Sequence, residues 1–100
     1  MKEIRKSDVF INWIKKLRDD YAKFRIQKRI DQLAEGNTGD SESIGKGLSE
    51  MRIHYGPGYR VYYKDTGRKI IILLCGGDKS TQQRDINNAK KIAKLYELEE

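Results

Sequence analysis

One hundred residues, 37% of them apolar, suffice to close one hydrophobic core and are too few for two, so residues 1–100 are expected to form a single domain. The formal charge of +6 favours anionic partners such as nucleic acid or acidic protein segments, and one cysteine excludes an intrachain disulfide. No run approaches the roughly 20 consecutive apolar residues of a bilayer crossing and no leader of secretory composition opens the sequence, which sets the expectation of a cytoplasmic protein with no membrane contact.

In chain order, a short first strand is expected at residues 4–6. Ser7 or Asp8 then caps a helix in which Phe10, Trp13, Ile14 and Leu17 recur at i, i+3, i+4 and i+7, the spacing of one buried stripe. Arg18-Asp19-Asp20 interrupts that stripe. A second helix is expected over residues 21–35, with Ala22, Ile26, Ile30 and Leu33 inward and Lys23, Arg25, Lys28 and Arg29 outward; Gly36 ends it. Residues 36–41 read as a polar, turn-rich connection to a strand region. Ser41, Ser43, Gly45 and Gly47 do not make a nucleotide loop, because no Gly-Lys-Ser/Thr follows and no strand precedes them.

A hairpin comes next. Strands over residues 48–55 and 59–64 flank Gly56-Pro57-Gly58, where glycines free to take positive φ surround a residue of fixed φ. Alternation puts Met51, Ile53 and Tyr55 on one face and Arg52 and His54 on the other, and the return strand splits into Val61 and Tyr63 inward and Arg60 and Tyr62 outward. Arg52, His54, Arg60 and Tyr62 are therefore expected to share one open face. After a turn at residues 65–67, the aliphatic run over residues 69–75 has the composition of a central strand covered on both faces. A last helix from about residue 81 buries Ile86, Ala89, Ala93 and Tyr96, with Lys90, Lys91 and Lys94 on its wet side.

Two strand arginines on a face that does not need them for packing form a pair of donor forks matched to phosphate oxygens; the competing reading is ordinary solvated arginines. His54, with a free pKa of about 6.5, can move a proton near neutral pH or stand by as a surface side chain. Tyr62 is assigned to stack on a base, whereas Tyr55, Tyr59 and Tyr63 read as packing. In Gly76-Gly77-Asp78-Lys79-Ser80-Thr81, successive glycines allow close approach, Lys79 offers a point charge and the following helix start offers free N–H groups; a plain strand-to-helix turn capped by Ser80 or Thr81 is the alternative. Cys75 reads as a small buried residue. No zinc-ligand spacing, serine nucleophile elbow or paired acidic residues suggest another hydrolytic chemistry. A nuclease built from this set is expected to need no metal or other cofactor and to cut RNA, whose 2′-OH can attack the adjacent phosphate. Arg52, Arg60 and Lys79 would then stabilise the transition state, where one well-aimed donor is worth roughly 3 kcal/mol.

The blocks Met51-Arg52-Ile53 with Gly56-Pro57-Gly58-Tyr59-Arg60-Val61-Tyr62, and Leu73-Leu74-Cys75-Gly76-Gly77-Asp78-Lys79-Ser80-Thr81-Gln82, resemble those of the addiction-module killer proteins in the RelE/ParE toxin superfamily, HigB/RelE-like. The likeness takes in Phe10 to Leu17 and the Gly36-Asn37-Thr38-Gly39-Asp40 turn. It implies an α+β fold: two amino-terminal helices packed on a small, mainly antiparallel sheet of about four strands, with a carboxy-terminal helix. It also implies the toxin of a type II toxin–antitoxin pair, neutralised by a cognate antitoxin, here expected to be a small helix-turn-helix protein. The implied activity is ribosome-dependent cleavage of messenger RNA, an endoribonuclease that arrests translation and growth, with a non-nucleolytic, ParE-like inhibitor of DNA gyrase as the alternative. Arg60 matches the family's phosphate-binding arginine, Arg52 and His54 lie where ribonuclease members place basic catalytic groups, and Lys79 lies in a loop where another is common. Tyr62, Lys46, Gln82 and Arg84 are assigned to RNA binding. One departure stands out: the functional tyrosine found early in the last helix of the best-known ribonuclease branch is replaced by Gln82-Gln83-Arg84-Asp85-Ile86.

Overall fold

The structure is a computed structural model that describes residues 1–99, with side-chain surroundings through residue 97. Its elements are β1 (Glu3–Lys6), α1 (Asp8–Lys16), α2 (Asp20–Ala34), β2 (Ser41–Gly45), β3 (Leu48–Ile53), β4 (Tyr59–Asp65), β5 (Ile70–Asp78), a single 3₁₀ turn (Lys79–Thr81) and α3 (Gln82–Glu99). The strands form one sheet in the order β1-β5-β4-β3-β2. Only the β1–β5 pair is parallel; the other three pairs are antiparallel. The α+β architecture is the expected one, with five strands instead of about four. The added strand is β2, whose single large apolar residue, Ile44, leaves almost no alternation to read. Its polar sequence suits an edge, where few apolar atoms have to be covered.

Helix starts follow the local chemistry. Ser7 caps α1, its hydroxyl accepting from the Phe10 N–H at 3.0 Å and donating to the Leu74 carbonyl at 2.5 Å, which ties the helix start to β5. Asp19 caps α2 by accepting from the Ala22 N–H at 3.1 Å. Both helices lay their apolar stripes on one face of the sheet. There Phe10, Ile26, Ile30 and Leu33 pack with Met51, Ile53, Val61, Tyr63, Ile71 and Leu73. The other face carries Leu48, Tyr62, Ile72, Leu74 and Cys75 under Ala89 and Ala93 of α3. Strand β5 is thus covered on both sides, as its uninterrupted aliphatic run requires.

Coverage of both faces corrects one expectation. Tyr62 is 0% exposed beneath α3, so it cannot stack on a base. Alternation placed it correctly, opposite Val61 and Tyr63; that face is dry at Tyr62 and opens to solvent toward the two ends of β4, at Arg60 and Lys64. A second correction concerns Gly76 and Gly77, which are residues of β5 and not a phosphate-cradling loop. A Cβ at Gly76 would overlap the Trp13 ring, 2.7 Å from its Cδ2, and one at Gly77 would overlap the Asp85 carboxylate, 2.8 Å from its Cγ. These glycines let α1 and α3 approach the strand closely. Asp78, not Ser80 or Thr81, caps the following turn and accepts from the Ser80 N–H at 2.8 Å, so a carboxylate sits where an anion was expected.

Candidate nucleic-acid interface

The site grows from the β3–β4 hairpin. Gly56 and Gly58 take φ of 58° and 81°, the positive values their sequence suggested, and the chain reverses between Ile53 and Tyr59. Pairing then sets Arg52 directly opposite Arg60, on the face that α3 covers farther along. Two guanidiniums facing each other across a ladder repel, and the strands resolve this with Glu50. Only 1% exposed, Glu50 accepts from Arg60 Nη1 at 3.1 Å and from Gln82 Nε2 at 2.9 Å, and its other oxygen lies 3.2 Å from Arg52 Nη2. Arg52 further contacts Asp40 at 3.3 Å and is bridged to Glu42. The Glu42 carboxylate, first among these neighbours, raises the Arg52 pKa, so the guanidinium stays charged.

His54 follows on β3's outgoing end, its side chain 74% exposed, and its Nε2 meets the Asp40 carboxylate. That bond is the main reason the Asp40 pKa is lowered; contact with Arg52 adds to it. Lys79 comes from the turn after β5 and packs beside Gly58. Among the described residues it forms no ion pair. Arg52, His54, Gly56, Gly58, Arg60 and Lys79 line one open concavity of about 420 Å³.

The structure therefore brings together the four residues assigned to catalysis; of those assigned to RNA binding it sets Gln82 next to them, on Glu50, and leaves Lys46, Tyr62 and Arg84 outside the cavity. Lys46 lies in the β2–β3 turn, φ 56°, at the opposite end of β3 from Arg52. The Gln82 amide is engaged with Glu50. Arg84 points to solvent 3.7 Å from Asp85. The open cationic face expected from sequence is corrected as well: Arg52 and Arg60 are held by carboxylates. Asp40, Glu42 and Glu50 were not singled out from sequence. The signal for Glu50 was present, since Leu48, Glu50 and Arg52 alternate onto one face of the strand; Asp40 and Glu42 reach the site only because β2 joins the sheet beside β3.

Chemically, this is a shallow, open cavity with one ammonium unpaired among the described residues, two guanidiniums fixed by a buried carboxylate, and an imidazole whose Nε2 is engaged. With Nε2–H donating to Asp40, the neutral ring presents Nδ1 as an acceptor. The Tyr62 hydroxyl is not available for proton transfer, because burial first, and then the Glu50 and Asp85 carboxylates, push its pKa up. Burial likewise pushes the Cys75 thiol up to about 12, which makes it inert.

Comparison with known proteins agrees with this architecture. The pattern of the family described as Phage derived protein Gp49-like (DUF891) matches residues 12–97. A relative from Haemophilus influenzae, described as an uncharacterized protein, is 47% identical over 91 residues, spanning 91% of this chain and 92% of its own length. Among solved structures, a double arginine-to-alanine variant of the Escherichia coli toxin RelE in the free state superposes with a TM-score of 0.73 at 13% identity, over 90% of this chain and 95% of that one. RelE in the intact E. coli RelBE toxin–antitoxin complex superposes with a TM-score of 0.64 at 11% identity, over 78% and 96% of the two chains. The chain thus belongs to the Gp49-like family, and its sheet and helices have the fold of RelE.

Proposed function

We propose that this chain is the toxin of a type II toxin–antitoxin pair and cuts messenger RNA on the ribosome without a metal. The observation that carries this reading is the convergence of Arg52, His54, Arg60 and Lys79 on one concavity. The RelE fold supports the toxin assignment, since RelE is solved both alone and in its toxin–antitoxin complex. In the proposed step His54 Nδ1 takes the proton of the RNA 2′-OH, O2′ bonds to phosphorus, and the P–O5′ bond breaks, leaving a cyclic phosphate. The departing 5′-oxygen takes a proton from water in the exposed cavity. Lys79 meets the phosphate directly. Arg52 turns toward it as phosphate displaces the solvent-facing carboxylates of Asp40 and Glu42, while Glu50 keeps both guanidiniums in place. The cytoplasm, where mRNA and ribosomes lie, is the proposed location. The proposed antitoxin is a small helix-turn-helix protein encoded next to this chain.

The test is induction without antitoxin, followed by primer extension and measurement of plasmid supercoiling. New mRNA ends with normal supercoiling are expected. Intact transcripts with inhibited supercoiling would instead establish a gyrase-directed, ParE-like toxin. Arg60→Ala is expected to abolish growth arrest in a protein that still folds and binds antitoxin; unchanged toxicity would remove Arg60 from the mechanism.

A further inference from the structure

A second groove, of about 450 Å³, runs along α2 and meets the first at Arg52, Ile53 and His54. The buried stripe of α2 is Ala22, Ile26, Ile30 and Leu33, whereas Tyr21, Phe24, Arg25 and Lys28 repeat at the same helical spacing on the opposite side. Phe24 is 60% exposed and Tyr21 54%, in a chain that buries most of its large apolar side chains. Their rings lie 6.1 Å apart and only 25° from parallel, and Tyr55 braces Tyr21 edge-on at 5.1 Å. Arg25 stands 5.7 Å from the Tyr55 ring centre and reaches the His54 carbonyl at 3.5 Å. Arg29 is spent on the carbonyls of Thr38 and Asp40. Lys28 is exposed and, among the described residues, has no ion pair. Among the described residues, Asp40, at the junction with the first cavity, is the only acidic side chain lining the groove.

We propose that this groove is a second subsite for single-stranded RNA, in which a base stacks on the Tyr21–Phe24 platform while Arg25 and Lys28 hold the phosphates beside it. One strand then runs from the groove into the Arg52–His54 cavity. An open, flat aromatic face flanked by cations is the surface that stacking on unpaired bases requires, and it accepts any base. An acidic peptide would use the cations but would leave the near-parallel ring pair without a role. The inference rests on the RNA reading above and adds to it a platform remote from the reacting phosphate.

The test is fluorescence anisotropy at low salt with 2′-O-methyl oligoribonucleotides, which bind like RNA but lack the attacking hydroxyl. A trinucleotide and an oligomer of about eight nucleotides are compared on the intact chain. Phe24→Ala should weaken the longer oligomer by roughly tenfold, Phe24→Trp should restore it, and the trinucleotide should bind all these chains alike. Because Phe24 is exposed, circular dichroism should show no change in fold. Equal effects on both lengths, no effect on either, or failure of the wild-type chain to hold the longer oligomer would overturn the subsite. So would a Phe24→Ala chain that keeps its oligonucleotide affinity but loses the cognate antitoxin, since the groove would then be a protein-docking surface. The readout contains no cleavage step, so absence of new mRNA ends would refute the nuclease reading while length-dependent binding stood.

Discussion

Glu50 is the residue on which the site's geometry turns. Its buried carboxylate is shared by Arg52, Arg60 and Gln82, and it converts a repulsive cross-strand arginine pair into a fixed array. Glu50→Ala would leave Arg60, largely covered, without its carboxylate. Removing one partner of a buried pair costs about 3 to 5 kcal/mol, and because the Arg60 guanidinium keeps an edge in water the lower end is expected, about 3 kcal/mol by urea unfolding. A loss below about 0.5 kcal/mol would show that the pair contributes nothing net, as exposed pairs often do. At this scale the sequence was informative about direction and poor about solvent. The strand period correctly set Arg52 and His54 against Met51 and Ile53, and it also grouped Tyr62 with Arg60. What it could not give was how far α3 extends over that face, which leaves Arg60 at the rim and Tyr62 under the helix.

Among the elements, α1, α2 and α3 were readable because each carries an apolar stripe, with a side-chain cap at the start of α1 and a glycine past the end of α2. Ser7, one of the two caps read for α1, is the one used, whereas Asp19, read only as a break in the first stripe, caps α2. Strand β2 was not readable: Ser41-Glu42-Ser43-Ile44-Gly45 owes its conformation to pairing with β3, a long-range fact absent from local composition. The Gly76-Gly77 pair was misread for a related reason. A glycine that lets a loop bend and a glycine that lets a helix approach look alike in sequence, and only the Trp13 ring over Gly76 tells them apart. Gly76→Ala must push α1 away from β5, and overpacking of this kind costs about 1 to 3 kcal/mol. Thermal melts should therefore show Gly76→Ala destabilised, and Trp13→Leu in the same chain should recover part of the loss. Equal losses in both backgrounds would place the strain somewhere other than the ring.

Across the whole molecule, Asp19, Asp40 and Asp65 are among the carboxylates that hold separate parts of the chain together. Asp19 at the head of α2 accepts from the Tyr55 hydroxyl at 2.8 Å, Asp40 before β2 binds Arg52 of β3 and His54 just past it, and Asp65 at the end of β4 meets Lys2 at 2.5 Å. Each has its pKa lowered from the ordinary 3.8: Asp19 chiefly by the Tyr55 hydroxyl, Asp40 chiefly by His54, Asp65 chiefly by Lys2. A carboxyl whose pKa falls on folding binds its proton more readily in the unfolded chain. Its stabilisation is complete above 3.8 and disappears as the pH drops through the folded values below it. As far as these groups go, melting temperature should accordingly be independent of pH around neutrality and fall below 3.8. Asp65→Asn should lower the melting temperature at pH 7 and flatten that acid descent, because the amide has no proton to gain. High salt should reduce the Asp65→Asn difference, since the Lys2 pair it removes is open to solvent and screened. A wild-type melting temperature that holds steady well below pH 3 would mean that these contacts do not bind the layers together and that the two apolar faces of the sheet carry the fold alone.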